Sequence, residues 1–229
     1  MRKIFEIFQN DRALKANAIM VSGNFIANIG AYLYYLAMGR LMPPADYGAL
    51  QSLISLVGIF MVPFVTLNFV VAKFVSSFIG KGEHEKISAL YWMFHKIGLV
   101  LFVAGGGLFL LFTPFLLEFL HLTSWVNIVL LDFGLFFGYF VMLNKATLQG
   151  YSRFLELTIA QFIESYGKLF LGIIAVVVGL GVPGAFGAFV LVYTMSFFYM
   201  TRVLRSNISR KEENVKLSMR PFAKYALPS

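Results

Sequence analysis

Long apolar runs fill almost the whole of this 229-residue chain, and they constrain its fold more than any motif does. Residues 18–41, 49–79, 87–117, 125–148, 155–180 and 182–204 are each dominated by Leu, Ile, Val, Phe, Ala and Gly. A helix needs about 20 mostly apolar residues to cross the hydrocarbon core of a bilayer, and every run meets that length. Inside hydrocarbon no water is present to bond the backbone, so a spanning segment must satisfy its own amides, as an α-helix does. The expected fold class is all-α: a polytopic membrane protein built as a bundle of six transmembrane helices. Only 13% of the residues are charged and 59% are hydrophobic, whereas an ordinary soluble domain carries about 25% charge. A water-soluble fold of this size has no core large enough for that apolar surface. Six spans and their connections also use up the length, which leaves no room for a soluble catalytic domain.

The basic residues set the expected orientation, because Lys and Arg close to span ends resist translocation and stay cytoplasmic. Arg2, Lys3, Arg12 and Lys15 precede the first run, Lys73, Lys81 and Lys86 surround the second gap, and Lys145 and Arg153 flank the fourth. Arg202, Arg205, Arg210, Lys211, Lys216 and Arg220 follow the last run. The alternate gaps hold Arg40 but no other Lys or Arg, including the stretch around Glu118 and His121 and the turn at Gly181 to Gly184. Both termini are therefore expected in the cytoplasm of a bacterial-type plasma membrane. The net charge of +8 is accounted for by topology and by attraction to anionic lipid head groups, so nucleic acid is not an expected partner. Three regions follow: residues 1–17 as a cytoplasmic or interfacial segment, 18–205 as the six-helix lobe, and 206–229 as a basic cytoplasmic segment. In the first, Ile4, Phe5, Ile7 and Phe8 suit either an amphipathic helix at the interface or a plain cytoplasmic flank.

Ionisable groups at membrane depth are costly and usually face a bundle interior or a watery cavity. Gln161, Glu164 and Lys168 recur at helical spacing in the fifth run and so share one face. They form either a cavity wall that meets a polar or anionic substrate, or a Glu164–Lys168 ion pair that fixes packing. Asp132, about two turns inside the fourth run, is a candidate for a coupling cation, a partner for Lys168, or a solvated carboxylate near the outer interface. Asn24 and Asn28 share a face of the first run, and with Asn68 they suit interhelical hydrogen bonds. Pro63 removes a backbone donor from the second run and is a hinge candidate, or only a shape-setting kink. His95 and Lys96 are expected at the interface, with the lysine snorkelling. Gly105, Gly106, Gly107 and Pro114 mark close helix approach or a gate in the third run. Zero Cys and three scattered His supply no hydrolytic or metal centre. The chain is not expected to be an enzyme or to need a cofactor.

Two local patterns carry a family resemblance. The end of the first run reads Gly39-Arg40-Leu41-Met42-Pro43-Pro44-Ala45-Asp46-Tyr47-Gly48, and the link between the fourth and fifth reads Leu148-Gln149-Gly150-Tyr151-Ser152-Arg153-Phe154. In a six-helix order, these resemble the polysaccharide flippases of the multidrug/oligosaccharidyl-lipid/polysaccharide exporter superfamily, which includes the O-antigen and capsule repeat-unit translocases. That family commonly shows Arg-x-Leu-x-Pro-x-x-Tyr/Phe-Gly at the first place, where Met42 here replaces the Leu, and a Leu-Gln-Gly-x-x-Arg-Phe-like stretch at the second.

The resemblance implies two six-helix lobes around a central cavity, alternating access, and lipid-linked oligosaccharide moved from the cytoplasmic to the outer leaflet for cell-surface polysaccharide. It implies cationic cavity residues that receive diphosphate or acidic sugars, for which Lys168 and Arg40 are the candidates on chemistry. Asn24, Asn28, Gln161 and Glu164 are further cavity candidates. The chain has about half the family's length, and residues 221–229 read like the approach to a seventh helix. A carboxy-terminal lobe or a second copy is thus an expected partner, beside substrate and membrane lipids, and the chain is expected to be a fragment or a gene ending early. The drug-exporter branch implies a cation-coupled multidrug exporter instead, although Asn24 and Asn28 stand where some of its members carry an Asp. A membrane scaffold without transport is the third expectation.

Overall fold

A computed structural model describes the backbone of residues 2–119 and 124–208, and side chains from Ile19 onward apart from Leu108 and Leu110. Among the described residues the chain is all-helical: α1 Arg2–Leu41, α2 Pro44–Gly80, α3 His84–Leu111, α4 Thr113–Phe119, α5 Val126–Gly150, α6 Phe154–Val177 and α7 Gly181–Leu204. Five of them, α2, α3 over His84–Gly107, α5, α6 and α7, are long and apolar enough to cross a membrane. The outer surface matches that reading, since Phe25, Phe69, Phe170 and Phe198 are largely exposed. In lipid such a surface has no hydrophobic penalty to avoid. The chain is a multi-pass membrane protein.

The turns follow from local chemistry. Pro43 and Pro44 offer no amide hydrogen, so α1 stops at Leu41 and α2 starts with Pro44, where a missing donor costs nothing. At three other helix ends the same hydrogen-bond pair closes the backbone. Glu83 N–H donates to Phe78 O while Gly82 N–H donates to Ile79 O, and Arg153 to Leu148 with Ser152 to Gln149, and Leu180 to Ala175 with Gly179 to Val176, repeat the arrangement. This closure needs a left-handed residue, usually Gly. Gly82 (φ 72°) and Gly179 (φ 88°) supply it, but in the α5–α6 turn it is Ser152, at φ 57°.

Two expectations are corrected here. The run 87–117 is two helices, α3 and α4, because Pro114 cannot donate to the preceding turn and the chain breaks at Phe112. The turn expected at 181–184 lies one step earlier, at 178–180, so that Pro183 and Gly184 fall inside the first turn of α7. Helix α1 runs unbroken from Arg2, through residue 17, to Leu41. The side chains proposed for its interfacial face, like His121 and the basic residues from 209 onward, lie outside the described residues.

In space, α5 and α7 form the centre: α2 and α3 pack on α5, α6 packs on α7, and α1 packs on α6. Helices approach closely where side chains are small. Gly23 lies against Thr158, and Gly172 against the Tyr34 ring, so α1 and α6 run side by side. Buried Asn144 ties the core together, accepting from the Tyr91 hydroxyl at 2.9 Å and donating to Thr201 Oγ1 at 3.0 Å. By contrast α1 and α2 touch only lightly. Their shared packing is at the end where one runs into the other, with Tyr34, Met38 and Met42 beside Leu50, Leu53 and Val57.

Candidate functional site

Away from that shared end, a cleft lies between α1 and α2, backed by α5, α6 and α7. It holds two cavities, of about 280 Å³ around Lys168 and about 190 Å³ around Gln161, which share Met142 and Lys145 in their walls. One group of the bundle's polar residues converges here. Tyr35, Lys145, Lys168 and Tyr193 line the first cavity. Asn24, Asn68, Gln149, Thr158 and Gln161 line the second with Lys145.

Glu164 sits behind the two cavities with both carboxylate oxygens engaged. Lys145 of α5 donates to Oε2 at 2.6 Å, and the buried Ser196 hydroxyl of α7 donates to Oε1 at 2.7 Å. The sequence offers Lys168, one turn along the same helix, as its partner, and the structure assigns that role to Lys145 instead. A self-contained Glu164–Lys168 pair is therefore not what fixes this helix.

Lys168 is left with an ammonium that makes no hydrogen bond or ion pair among the described residues, at 8% exposure. Its neighbours are rings: Nζ lies 4.6 Å from the centre of Tyr34, 5.1 Å from Tyr35 and 5.8 Å from Phe189. Ring faces attract cations but do not replace the oxygen ligands that an ammonium loses on leaving water. Tyr34 is held in place by its hydroxyl, which donates to Ala185 O at 3.1 Å. Two amide oxygens nearby, Asn24 Oδ1 and Gln161 Oε1, are also buried without a hydrogen bond. The first cavity thus holds an ammonium with no hydrogen bond or ion pair among the described residues, and the adjoining one two amide oxygens that lack a donor.

The chain matches no protein-family model, no curated protein and no solved structure.

Of the residues singled out in the sequence, Lys168, Glu164, Gln161 and Asn24 come together at this cleft. Arg40, Asn28, Asp132 and Pro63 do not. Arg40 is exposed at the last turn of α1, and Asn28 is exposed and lines neither cavity. Asp132 lies on another flank of α5, its carboxylate against Gly106 of α3, and so is no partner for Lys168. Pro63 is exposed within an unbroken α2. Asn68 does bridge helices, donating to Met142 O at 3.3 Å. His95 is half-buried, its ring centre 4.1 Å from that of Tyr91 and tilted to it, with Nδ1 3.1 Å from Tyr91 O. Sequence reasoning missed Lys145, which has the two-cavity position, and the aromatic residues around Lys168. The signal for Lys145 was its place beside Asn144 in an apolar run, and for Tyr34 and Tyr35 their adjacency in a helix otherwise short of hydroxyls.

Proposed function

We propose that the chain is one lobe of a transporter that flips lipid-linked oligosaccharide, with Lys168 receiving the anionic diphosphate or an acidic sugar in the cleft between α1 and α2. The observation that carries this reading is the buried, unpaired Lys168 ammonium facing a polar cavity. An ammonium without an ion pair in the resting protein gains one when an anion arrives, so its burial acts as stored affinity rather than as packing. The two loop patterns resembling the polysaccharide flippases supply the substrate class.

In this reading α1 is a sixth span, both ends of the lobe are cytoplasmic, and the membrane is a bacterial-type plasma membrane. The light α1–α2 contact leaves the cleft open on one side, and a second lobe or second copy completes its wall, as in the two-lobed exporter architecture. Lys145 then serves as a neutralised neighbour, held by Glu164, that keeps a second ammonium near the substrate path.

The test is complementation. Expressed in a host lacking its repeat-unit flippase, together with the second lobe where the gene encodes one, the protein restores surface polysaccharide. Lys168→Ala at equal membrane abundance does not. Full rescue by Lys168→Ala removes Lys168 from the mechanism. No rescue by well-expressed wild-type protein, coupled with dye efflux driven by a sodium or proton gradient, replaces the flippase reading with drug export.

A further inference from the structure

A second charged group in this bundle has no partner, and it has the opposite sign. The half-buried Asp132 makes no hydrogen bond or ion pair among the described residues. Its carboxylate is set against the α3 backbone, where a Cβ on Gly106 would come within 2.9 Å of Oδ2. It faces a cavity of about 220 Å³ between α2, α3 and α5, walled by Phe60, Phe64, Phe102, Phe109, Phe136 and Tyr139.

Those rings brace one another. Phe64 and Tyr139 meet edge-on at 5.0 Å, Phe60 and Phe109 at 5.4 Å, and Phe102 and Phe136 lie 4.2 Å apart. The Tyr139 hydroxyl donates to Phe94 O at 2.7 Å, and its ring fills the space that any side chain at Gly98 would occupy. A carboxylate among aromatic rings is complementary to an alkylated ammonium, which the charge and the ring faces attract together. A small hard cation gains little here, because it needs several oxygen ligands and the walls supply only the one carboxylate.

Beside this chamber is a second, of about 500 Å³, which shares Phe60, Gly105 and Phe109 and is otherwise lined by Ala104, Phe112, Phe115 and Leu116. Its lining has no charged or hydrogen-bonding side chain. A ligand that fits both chambers has a cationic head and an apolar tail. The depth agrees. Asp132 is six residues into the 25-residue α5, so at about 1.5 Å per residue it lies roughly 9 Å from the helix end. For a helix centred on about 30 Å of hydrocarbon, that is roughly 5 Å inside the boundary, where a lipid head group meets its chains.

We propose that Asp132 and its aromatic walls bind an ammonium-bearing amphiphile, with the head group against the carboxylate and the tail in the neighbouring apolar chamber. The shared chemistry is the alkylammonium, which a free organic cation or a membrane lipid carries. Binding of hexyltrimethylammonium to the full chain in phosphatidylglycerol nanodiscs, followed by calorimetry, tests the site. Saturable binding that falls at least tenfold in the near-isosteric Asp132→Asn supports it, as does failure of 1-hexanol to compete on wild-type protein. The second readout requires no variant to fold. Equal affinity in Asp132→Asn, effective competition by 1-hexanol, or no saturable binding overturns the proposal. Native mass spectrometry of protein taken from membranes separates the sources. Ethanolamine or choline lipid retained by wild type and lost in Asp132→Asn assigns a lipid head group, and hexyltrimethylammonium binding without such retention assigns a free cation.

Discussion

Replacing Lys168 by Met separates a cation kept for binding from one kept for packing, because the two roles predict opposite signs in stability. Met has similar length and no charge. In the resting protein Lys168 is 8% exposed, with the rings of Tyr34, Tyr35 and Phe189 around its ammonium and the Glu164 carboxylate acting on it through space. The cation–π attraction lost is about 2 kcal/mol for a desolvated site, and contacts of the Met sulfur with the same rings return about 0.3–1.5 kcal/mol. The desolvation cost removed is several kcal/mol for a buried ion, less the through-space attraction of Glu164. The balance favours Met by about 1–2 kcal/mol, once the three-ring cradle and residual water are allowed for. For a chain of this size that is a rise in melting temperature of roughly 2–8 °C.

Ligand binding moves the other way. A hydrogen bond to a charged partner is worth about 1.5–3 kcal/mol, so affinity for a polyprenyl diphosphate falls roughly 10- to 100-fold in Lys168→Met. Thermal melts of purified protein and equilibrium binding of geranylgeranyl diphosphate, with geranylgeraniol as the uncharged control, read both quantities. A variant that melts several degrees below wild type while binding the diphosphate equally well refutes the argument, since it makes Lys168 a packing residue.

Four further outcomes are expected. Glu164→Gln keeps an oxygen for Ser196 but removes the charge that pairs Lys145, lowering stability by about 1–3 kcal/mol for a pair this enclosed; adding Lys145→Met recovers much of the loss, and a double-mutant cycle of thermal melts measures it. Gly150→Val drives a Cβ to 2.5 Å from Val75 and 3.0 Å from Ala72 O, so α2 and α5 separate at a cost of about 1–3 kcal/mol, seen as reduced yield and an earlier melt. Ser152→Gly relieves a left-handed residue at φ 57° and raises stability by about 0.5–1 kcal/mol, the strain of about 1–2 kcal/mol less the added unfolded-state freedom of Gly; a lower melt contradicts the assignment. With no Cys in the chain, single cysteines at Glu83 or Ser152 label with an impermeant maleimide only after cells are opened and one at Val178 labels from outside; the reverse pattern inverts the proposed topology.

The helices were legible because apolar runs leave the backbone no choice in lipid, but Pro and Gly marked their ends unevenly: Pro183 and Gly184 fall inside α7. At the α1–α2 junction the first helix ends at Leu41 as expected, but α2 starts at Pro44, five residues before the expected run at 49. The break at Phe112 was signalled by Pro114 but hidden by unbroken hydropathy, which measures greasiness and not hydrogen bonding. The left-handed Ser152 carried no signal, since the same closure elsewhere in the chain uses Gly82 and Gly179. In the site, helical spacing collected Gln161, Glu164 and Lys168 on one face, and that much holds for any helix with this sequence.

What spacing within one helix cannot say is which of two lysines the glutamate takes. Glu164 has Lys168 four residues along its own helix and Lys145 nineteen residues away in sequence, and the local pair is worth about 0.2–0.5 kcal/mol at best. Packing of α5 and α7 against α6 brings both Lys145 and Ser196 to the carboxylate at once, filling two oxygens with two donors. That arrangement outweighs a single i,i+4 contact because it desolvates neither partner without replacement. Lys168 is then buried without an ion pair to Glu164, which acts on it only through space. The buried Lys168 ammonium without an ion pair, on which the proposed binding role rests, is therefore a product of three helices meeting, and none of them taken alone has it.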